Sequence, residues 1–187
     1  MTATDSAPQT NVLSPLAEAH QRAGRPLPPA VAILSHEIPE PYRSLLVHDR
    51  DMTRTLENFH ARRVHLEVLN RRRDPDGTYW REVVLRLDGS NEPVEFGAIL
   101  IHLDRFPEPW RSQILSEHLP LGTILNSSGL QYSSKPSAYL RFASDGIVQQ
   151  VFELSGPIAL YGRRNTLRNA QGEALAEIIE ILPPRHA

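Results

Sequence analysis

Residues 79–88 (YWREVVLRLD) most constrain the fold, because the run alternates like a β-strand and yet places an arginine among apolar residues. Side chains along a strand point to opposite faces in turn. One face of this run therefore carries Tyr79, Arg81, Val83, Leu85 and Leu87. The residues between them are mostly charged, which predicts that the second face contacts solvent.

The guanidinium of Arg81 needs compensation if this face is buried, since burying an uncompensated charge is costly. An internal carboxylate could pair with Arg81, or the side chain could run along the strand end to water. An anionic ligand is a third possibility, because the planar fork of guanidinium donors matches a carboxylate. The strand pattern alone leaves all three open.

Composition excludes several kinds of chemistry. The 187 residues include 20 basic and 22 acidic ones, and the net charge of −2 gives no electrostatic reason to expect nucleic acid or an anionic membrane as a partner. The absence of cysteine excludes disulfides, thiolate catalysis and cysteine metal sites. No apolar run approaches the roughly 20 residues that cross a bilayer. We expect a cytoplasmic monomer or small homo-oligomer.

The first 37 residues differ in composition from the rest of the chain. Five prolines fall here among Ala, Gln, Ser and Thr, which predicts a flexible extension with room for a short helix at 16–22. Residues 38–187 are expected to form one folded domain.

The hydrophobic pattern of this domain predicts an α+β fold with an antiparallel β-sheet. Strands are predicted at 64–69, 79–88, 94–103, 138–143, 147–154, 159–168 and 174–182. Turn signals such as Asp74-Pro75-Asp76-Gly77 join neighbouring strands as hairpins. Helices are predicted at 41–48, 51–59 and 109–119, with a helical turn at 121–125.

The last two strands each carry a pair of charged residues whose orientation the pattern leaves open. Arg163 and Arg164 are adjacent, so they face opposite sides, and Glu177 and Glu180 also differ in parity. An inward arginine could complete a dianion pocket with Arg81, and an inward glutamate could pair with Arg81 or bind a substrate hydroxyl. Surface ion pairs explain the same residues equally well.

The sequence lacks the histidine spacing of helical metal sites, the G-x-S-x-G motif of serine nucleophiles and Gly-rich phosphate-binding loops. We therefore expect no metal and no cofactor.

Five segments, taken in order, resemble the chorismate lyase (chorismate–pyruvate lyase) family, which makes 4-hydroxybenzoate for ubiquinone biosynthesis. They are LLVHDRDMT at 45–53, REVVL at 81–85, LPLG at 119–122, LYGRR at 160–164 and EILPP at 180–184. The resemblance implies an antiparallel sheet with helices packed on it and a buried ligand pocket under two helical flaps. It also implies elimination of pyruvate from chorismate without a cofactor, acting on a small aromatic or enolpyruvyl acid.

The same resemblance assigns roles to individual residues. Arg81 would bind the ring carboxylate, and Glu180 would accept a hydrogen bond from the ring hydroxyl. If the sequences are matched without a gap, Ile179 instead takes the position that binds the ring hydroxyl, and Glu177 shares the strand face of Ile179. The further residues implied in substrate binding are Met52, Leu121, Gly122 and either Arg163 or Arg164.

Two alternatives come from other uses of this fold. One is a non-catalytic protein that binds an aromatic acid, as do the effector domains of some bacterial transcription regulators. A leader of about 40 Pro-rich residues is too short for the DNA-binding domain that precedes such effector domains. The other is a related enzyme acting on another hydroxybenzoate. Residues 95–99 (EFGAI) also depart from the best-known lyases.

Overall fold

A single antiparallel sheet of seven strands dominates the computed structural model, which describes residues 12–184. The strands are β1 (Ala30–Ile33), β2 (Val64–Arg73), β3 (Thr78–Leu87), β4 (Pro93–His102), β5 (Tyr132–Ala143), β6 (Ala159–Asn169) and β7 (Ala174–Ile181). Their spatial order is β1-β5-β6-β7-β4-β3-β2, and every neighbouring pair is antiparallel. The predicted α+β fold with an antiparallel sheet is confirmed.

Six helices pack on this sheet within residues 12–184. They are α1 (Leu16–Arg22), α2 (Tyr42–Leu46), α3 (Met52–His60), α4 (Trp110–Ser116), α5 (Leu121–Ser128) and α6 (Gly146–Val151). None of the helices in this described part of the chain is long and apolar enough to cross a membrane.

Helices α3 and α5 have well-defined ends that fix them over one face of the sheet. The side chain of Asp51 accepts a hydrogen bond from the Arg54 amide (2.9 Å) and so caps the first turn of α3. Helix α5 follows Pro120 and ends at Gly129, whose φ of 71° lies in the left-handed region that glycine adopts without steric cost. Both helices therefore begin at defined positions above the sheet.

Both faces of the sheet are covered, which corrects the expectation of a solvated second face. Val84 and Phe96 are fully buried there in a cluster that includes Leu16 of α1 and Val148 of α6. Glu82 is buried on this face as well, where it accepts hydrogen bonds from Arg25 and from the Asn70 amide. Charged residues in the β3 pattern thus do not mark solvent, because internal partners compensate them.

The segment before residue 38 is also part of this packing. Helix α1 coincides with the short helix expected at 16–22, and Leu13 and Leu16 are buried in the core. Strand β1 pairs with β5 at the edge of the sheet. The predicted boundary at 37/38 is therefore wrong for the described residues 12–37, because their apolar side chains cover the sheet. The rest of the predicted extension, residues 1–11, lies outside the described residues.

The strand predicted at 147–154 is also wrong, since the chain forms helix α6 there. The Asp145 side chain accepts from the Val148 amide (3.0 Å) and caps the helix. Val148, Val151 and Phe152 are buried, and their spacing of three and four residues is helical. A short apolar run fits both patterns, and the capping aspartate distinguishes them.

Candidate functional site

A cavity of about 60 Å³ lies between the sheet and the first turns of α3 and α5. This volume is several times the roughly 10–15 Å³ that one water molecule requires. The central strands β3, β4, β6 and β7 form the floor. Helices α3 and α5, here called the two flaps, form the roof with Met52, Leu121 and Gly122. Three of the residues implied by the resemblance therefore line one cavity.

The floor is built of side chains in two rows that run across the strands. Strand register places Arg81, Ile99, Ile178 and Asn165 side by side in the first row. The second row, two residues further along, consists of Val83, Gly97, Glu180 and Arg163. Directly opposite residues of antiparallel strands point to the same face. The sheet thus mixes charged and apolar side chains on the face below the flaps.

Arg81 is the buried cation at one corner of this floor. It is 4% exposed, and its Nε and Nη1 atoms have no hydrogen-bond partner among residues 12–184. Burial lowers the pKa of Arg81, although the Tyr79 oxygen and the Glu117 carboxylate nearby partly offset that effect. The Tyr79 hydroxyl itself donates to Glu117. Unmatched guanidinium donors at a cavity wall favour an anion as the missing partner.

Glu180 lines the same cavity one row away, and Arg163 holds it there. The Nε atom of Arg163 donates to Glu180 Oε2, and both side chains are buried. Arg163 Nη1 and Nη2 donate to the backbone oxygens of His48 (3.0 Å) and Arg50 (3.2 Å). Nη1 also donates to the Leu46 oxygen (3.2 Å). Arg163 therefore ties the segment between α2 and α3 to the sheet, and its donors are used.

The other two charged residues from the last strands lie on the opposite face of the sheet. Arg164 donates to Glu177 (2.6 Å), to the Ser14 oxygen (3.2 Å) and to the Ser137 hydroxyl (3.0 Å). Neither Arg164 nor Glu177 lines the cavity. Their predicted part in substrate binding loses its structural basis, because the register of β6 and β7 turns them away. The same register resolves the open choice in favour of Glu180.

The roof is closed by a close contact between α3 and α5. A Cβ atom at Gly122 would lie 2.6 Å from Thr53 Oγ1 and 2.8 Å from Asp51 Oδ1, so only glycine permits this approach. The Asn126 amide also donates to Asp51 Oδ2 (3.2 Å). Gly122 thus contributes to the pocket by letting the two flaps meet.

Sequence reasoning missed two polar residues of the floor, Glu95 and Asn165. Glu95 is 5% exposed, and its Oε2 has no partner within the described part of the chain. Burial and the neighbouring Glu180 raise the pKa of Glu95, against the opposing effect of Arg163. The Asn165 amide donates to Ser134 (2.9 Å), which leaves its Oδ1 without a partner in residues 12–184.

The alternation that identified Arg81 could have found Glu95. In β4, Glu95 shares its face with Gly97, Ile99 and Ile101, so it is a lone charge among apolar residues. In β6, Asn165 shares its face with Arg163 and Asn169, so no apolar alternation marks it in the sequence. A polar residue on an apolar strand face was therefore a usable signal for Glu95 alone.

Comparison with known proteins reveals similarity at the level of structure. No family model matches the sequence, and no curated protein matches it. A gene product of Staphylococcus aureus is similar with a TM-score of 0.52 and 11% identity, over 66% of this chain and 85% of that one. PhnF from Mycobacterium smegmatis has a TM-score of 0.52 and 10% identity, over 73% and 68% of the two chains. These likenesses establish the fold.

A third similar structure is described as the ligand-binding domain of a GntR-family transcriptional regulator from Bordetella bronchiseptica. It has a TM-score of 0.49 and 11% identity, over 66% of this chain and 87% of that domain. The expectation that this chain does not bind nucleic acid stays a prediction.

The geometry of the cavity suits one shape of ligand. A guanidinium lies at one corner, carboxyl groups lie in the neighbouring rows, and apolar side chains such as Val83, Ile99 and Ile178 separate them. A flat apolar body with a carboxylate at one end and a hydroxyl at the other would satisfy both polar regions.

Proposed function

We propose that the protein binds a small aromatic carboxylic acid in the cavity beneath α3 and α5. The observation that carries this proposal is Arg81, a buried guanidinium at the cavity wall with two nitrogens that lack a hydrogen-bond partner among residues 12–184. A native protein rarely leaves buried donors unmatched, so such a group calls for a partner. A carboxylate can accept two parallel hydrogen bonds from it.

Other features of the cavity define the rest of this ligand. The cavity is small and its lining is mostly apolar, which suits a small ring. Glu180, held by Arg163, offers a fixed acceptor away from Arg81. A ring bearing a carboxylate and a hydroxyl is the simplest molecule with this pattern, and 4-hydroxybenzoate is our test ligand.

Calorimetric titration with a matched ligand pair tests this function. We expect wild-type protein to bind 4-hydroxybenzoate and to bind its methyl ester at least tenfold more weakly, because the ester loses the charge-assisted contact. Equal affinity for acid and ester, or no binding of either, would contradict the proposal.

A lyase that eliminates pyruvate from chorismate is the second candidate function. It is favoured because Arg81, Glu180, Met52 and Leu121 all line one cavity, which is the set that the family resemblance implies. Such an enzyme would hold the substrate in a reactive conformation, and contacts with the floor and with α3 and α5 would serve that purpose.

Incubation with chorismate distinguishes the two functions. Release of pyruvate, followed by a coupled assay and lost in an Arg81→Met variant, would support the lyase. Binding of 4-hydroxybenzoate without any release of pyruvate would instead identify a non-catalytic binding protein of the same fold.

A further inference from the structure

The cavity holds a second carboxyl group, Glu95, which differs from Glu180 in how it is compensated. Glu180 lies opposite Gly97 on the neighbouring strand, and Glu95 precedes Gly97 by two residues on the same face. Arg163 donates to Glu180 Oε2, whereas Glu95 Oε2 is buried without a hydrogen-bond partner in residues 12–184. The two carboxyls therefore lie at the same end of the floor, but they differ in their hydrogen-bond partners.

Gly97 lets the Glu95 side chain extend toward the middle of that floor. A Cβ atom at Gly97 would lie 3.3 Å from Glu95 Oε1 and 3.2 Å from Val83 Cγ2. The carboxyl of Glu95 thus lies beside the bare backbone of Gly97, next to the row that contains Glu180. Strand rise of about 3.3 Å per residue places Glu95 about 13 Å from the Arg81 row along β4, since Arg81 pairs with Ile99. The Glu95 side chain, which reaches Gly97 in the row of Glu180, shortens that span.

The charges around Glu95 favour its neutral form. The charged groups that act on it are Glu180 from β7, Arg163 from β6 and Asp51 at the start of α3. Burial and the two carboxylates raise the pKa of Glu95, while Arg163 lowers it. Arg163 donates a hydrogen bond to Glu180 and so stabilises the ionised form of Glu180. A single proton on this carboxyl pair therefore resides on Glu95. A neutral carboxyl has an O–H group and can donate a hydrogen bond.

We propose that Glu95 and Glu180 together recognise one hydroxyl group of the ligand, with Glu95 donating a hydrogen bond to its oxygen and Glu180 accepting one from its O–H. This inference rests on the proposed binding of an aromatic carboxylate at Arg81. It assigns Glu95 as a specificity-determining residue of the cavity. It also accounts for the unsatisfied Glu95 Oε2, which gains a partner when the ligand binds.

The pair selects a hydroxyl over other groups at the same ring position. A hydroxyl group both donates and accepts hydrogen bonds, whereas an aromatic amino group donates them but is only a weak acceptor. A hydrogen atom does neither. The site is therefore expected to rank 4-hydroxybenzoate above 4-aminobenzoate and benzoate, since an unmatched buried polar group is costly.

Calorimetric titration of these three ligands at pH 6 tests the pair. Wild-type protein should prefer 4-hydroxybenzoate over 4-aminobenzoate on the order of tenfold. Glu95→Leu should weaken 4-hydroxybenzoate binding by about tenfold and remove most of that preference. Glu95→Gln should recover most of the affinity, because its amide retains a donor. Glu177→Gln, on the opposite face of the sheet, is the matched control and should keep the wild-type preference.

A ligand-free measurement tests the proton on Glu95 separately. A folded-state pKa raised above the unfolded value contributes stability at low pH that is lost as pH rises. Urea unfolding at pH 5, 6, 7 and 8 should therefore show Glu95→Gln becoming more stable relative to wild type as pH increases. A constant difference would mean that Glu95 is already ionised, which overturns the donor assignment.

The remaining outcomes separate this inference from the proposed function. If wild type binds benzoate and 4-hydroxybenzoate equally while Arg81→Met binds neither, carboxylate binding stands and the hydroxyl inference fails. If Glu95→Leu is folded and keeps the wild-type preference, Glu95 is not the donor. If wild type binds none of the three ligands, both proposals fail.

Discussion

Replacing Arg81 with methionine should stabilise the ligand-free protein while removing its affinity for an aromatic acid. The guanidinium lies buried with Nε and Nη1 unmatched in the described chain. A buried donor without a partner costs about 1–3 kcal/mol. Methionine keeps an unbranched stem beside Val83 and Ile99 and removes those donors. Loss of the attraction to Glu117 offsets part of the gain.

The expected size of both effects follows from these contacts. A stabilisation of about 1–3 kcal/mol corresponds to a rise of about 2–12 °C in melting temperature for a domain of this length. Loss of a charge-assisted contact costs about 1.5–3 kcal/mol of binding free energy. That loss lowers the affinity for 4-hydroxybenzoate about ten- to a hundredfold.

Differential scanning calorimetry without ligand and titration with 4-hydroxybenzoate measure the two effects. Arg164→Met is the matched control, because Arg164 lies on the opposite face of the sheet and is already paired with Glu177. It should leave ligand affinity unchanged. An Arg81→Met protein that melts below wild type and still binds the acid would refute the reasoning, since Arg81 would then have a sufficient internal partner.

Three further predictions concern the flaps and the buried network. Gly122→Ala should destabilise the protein by about 1–3 kcal/mol in urea unfolding, because its Cβ would lie 2.6 Å from a hydroxyl oxygen of α3. Glu180→Ala should cost about 3–5 kcal/mol by leaving Arg163 buried and unpaired, whereas Glu177→Ala should cost under about 1 kcal/mol; equal losses would contradict the placement of the two faces. Burial and Arg163 lower the pKa of His48 to about 4, from 6.5, so stability should fall as pH drops through that interval. His48→Asn should flatten this part of the measured pH–stability curve.

The strand alternation of β3 was sufficient to place Arg81 correctly. Its face carries only apolar neighbours apart from the guanidinium, and that face lies toward the cavity. The same method could not separate Glu177 from Glu180, because both faces of β7 are apolar when both faces of the sheet are covered. Only the pairing of β7 with β4 and β6 decides which glutamate lies in the cavity.

The elements that cover the second face were the least predictable part of the fold. Helix α1 lies in a proline-containing segment, and its contacts with the sheet join residues that are distant in the sequence. Helix α6 is only six residues long, so its apolar pattern also fits a strand. Local propensity cannot report such contacts, because tertiary packing determines them.

Arg163 and Arg81 show why the inward orientation of an arginine is not enough to identify a ligand site. Both are buried on the same face of the sheet, in adjacent rows of the floor. Arg163 donates to a carboxylate and to three backbone oxygens, so its charge is compensated within the fold. Arg81 lacks partners for two of its nitrogens within residues 12–184. A buried cation that the fold already satisfies stabilises a loop, whereas one that the fold leaves unsatisfied is the better candidate for binding an anion.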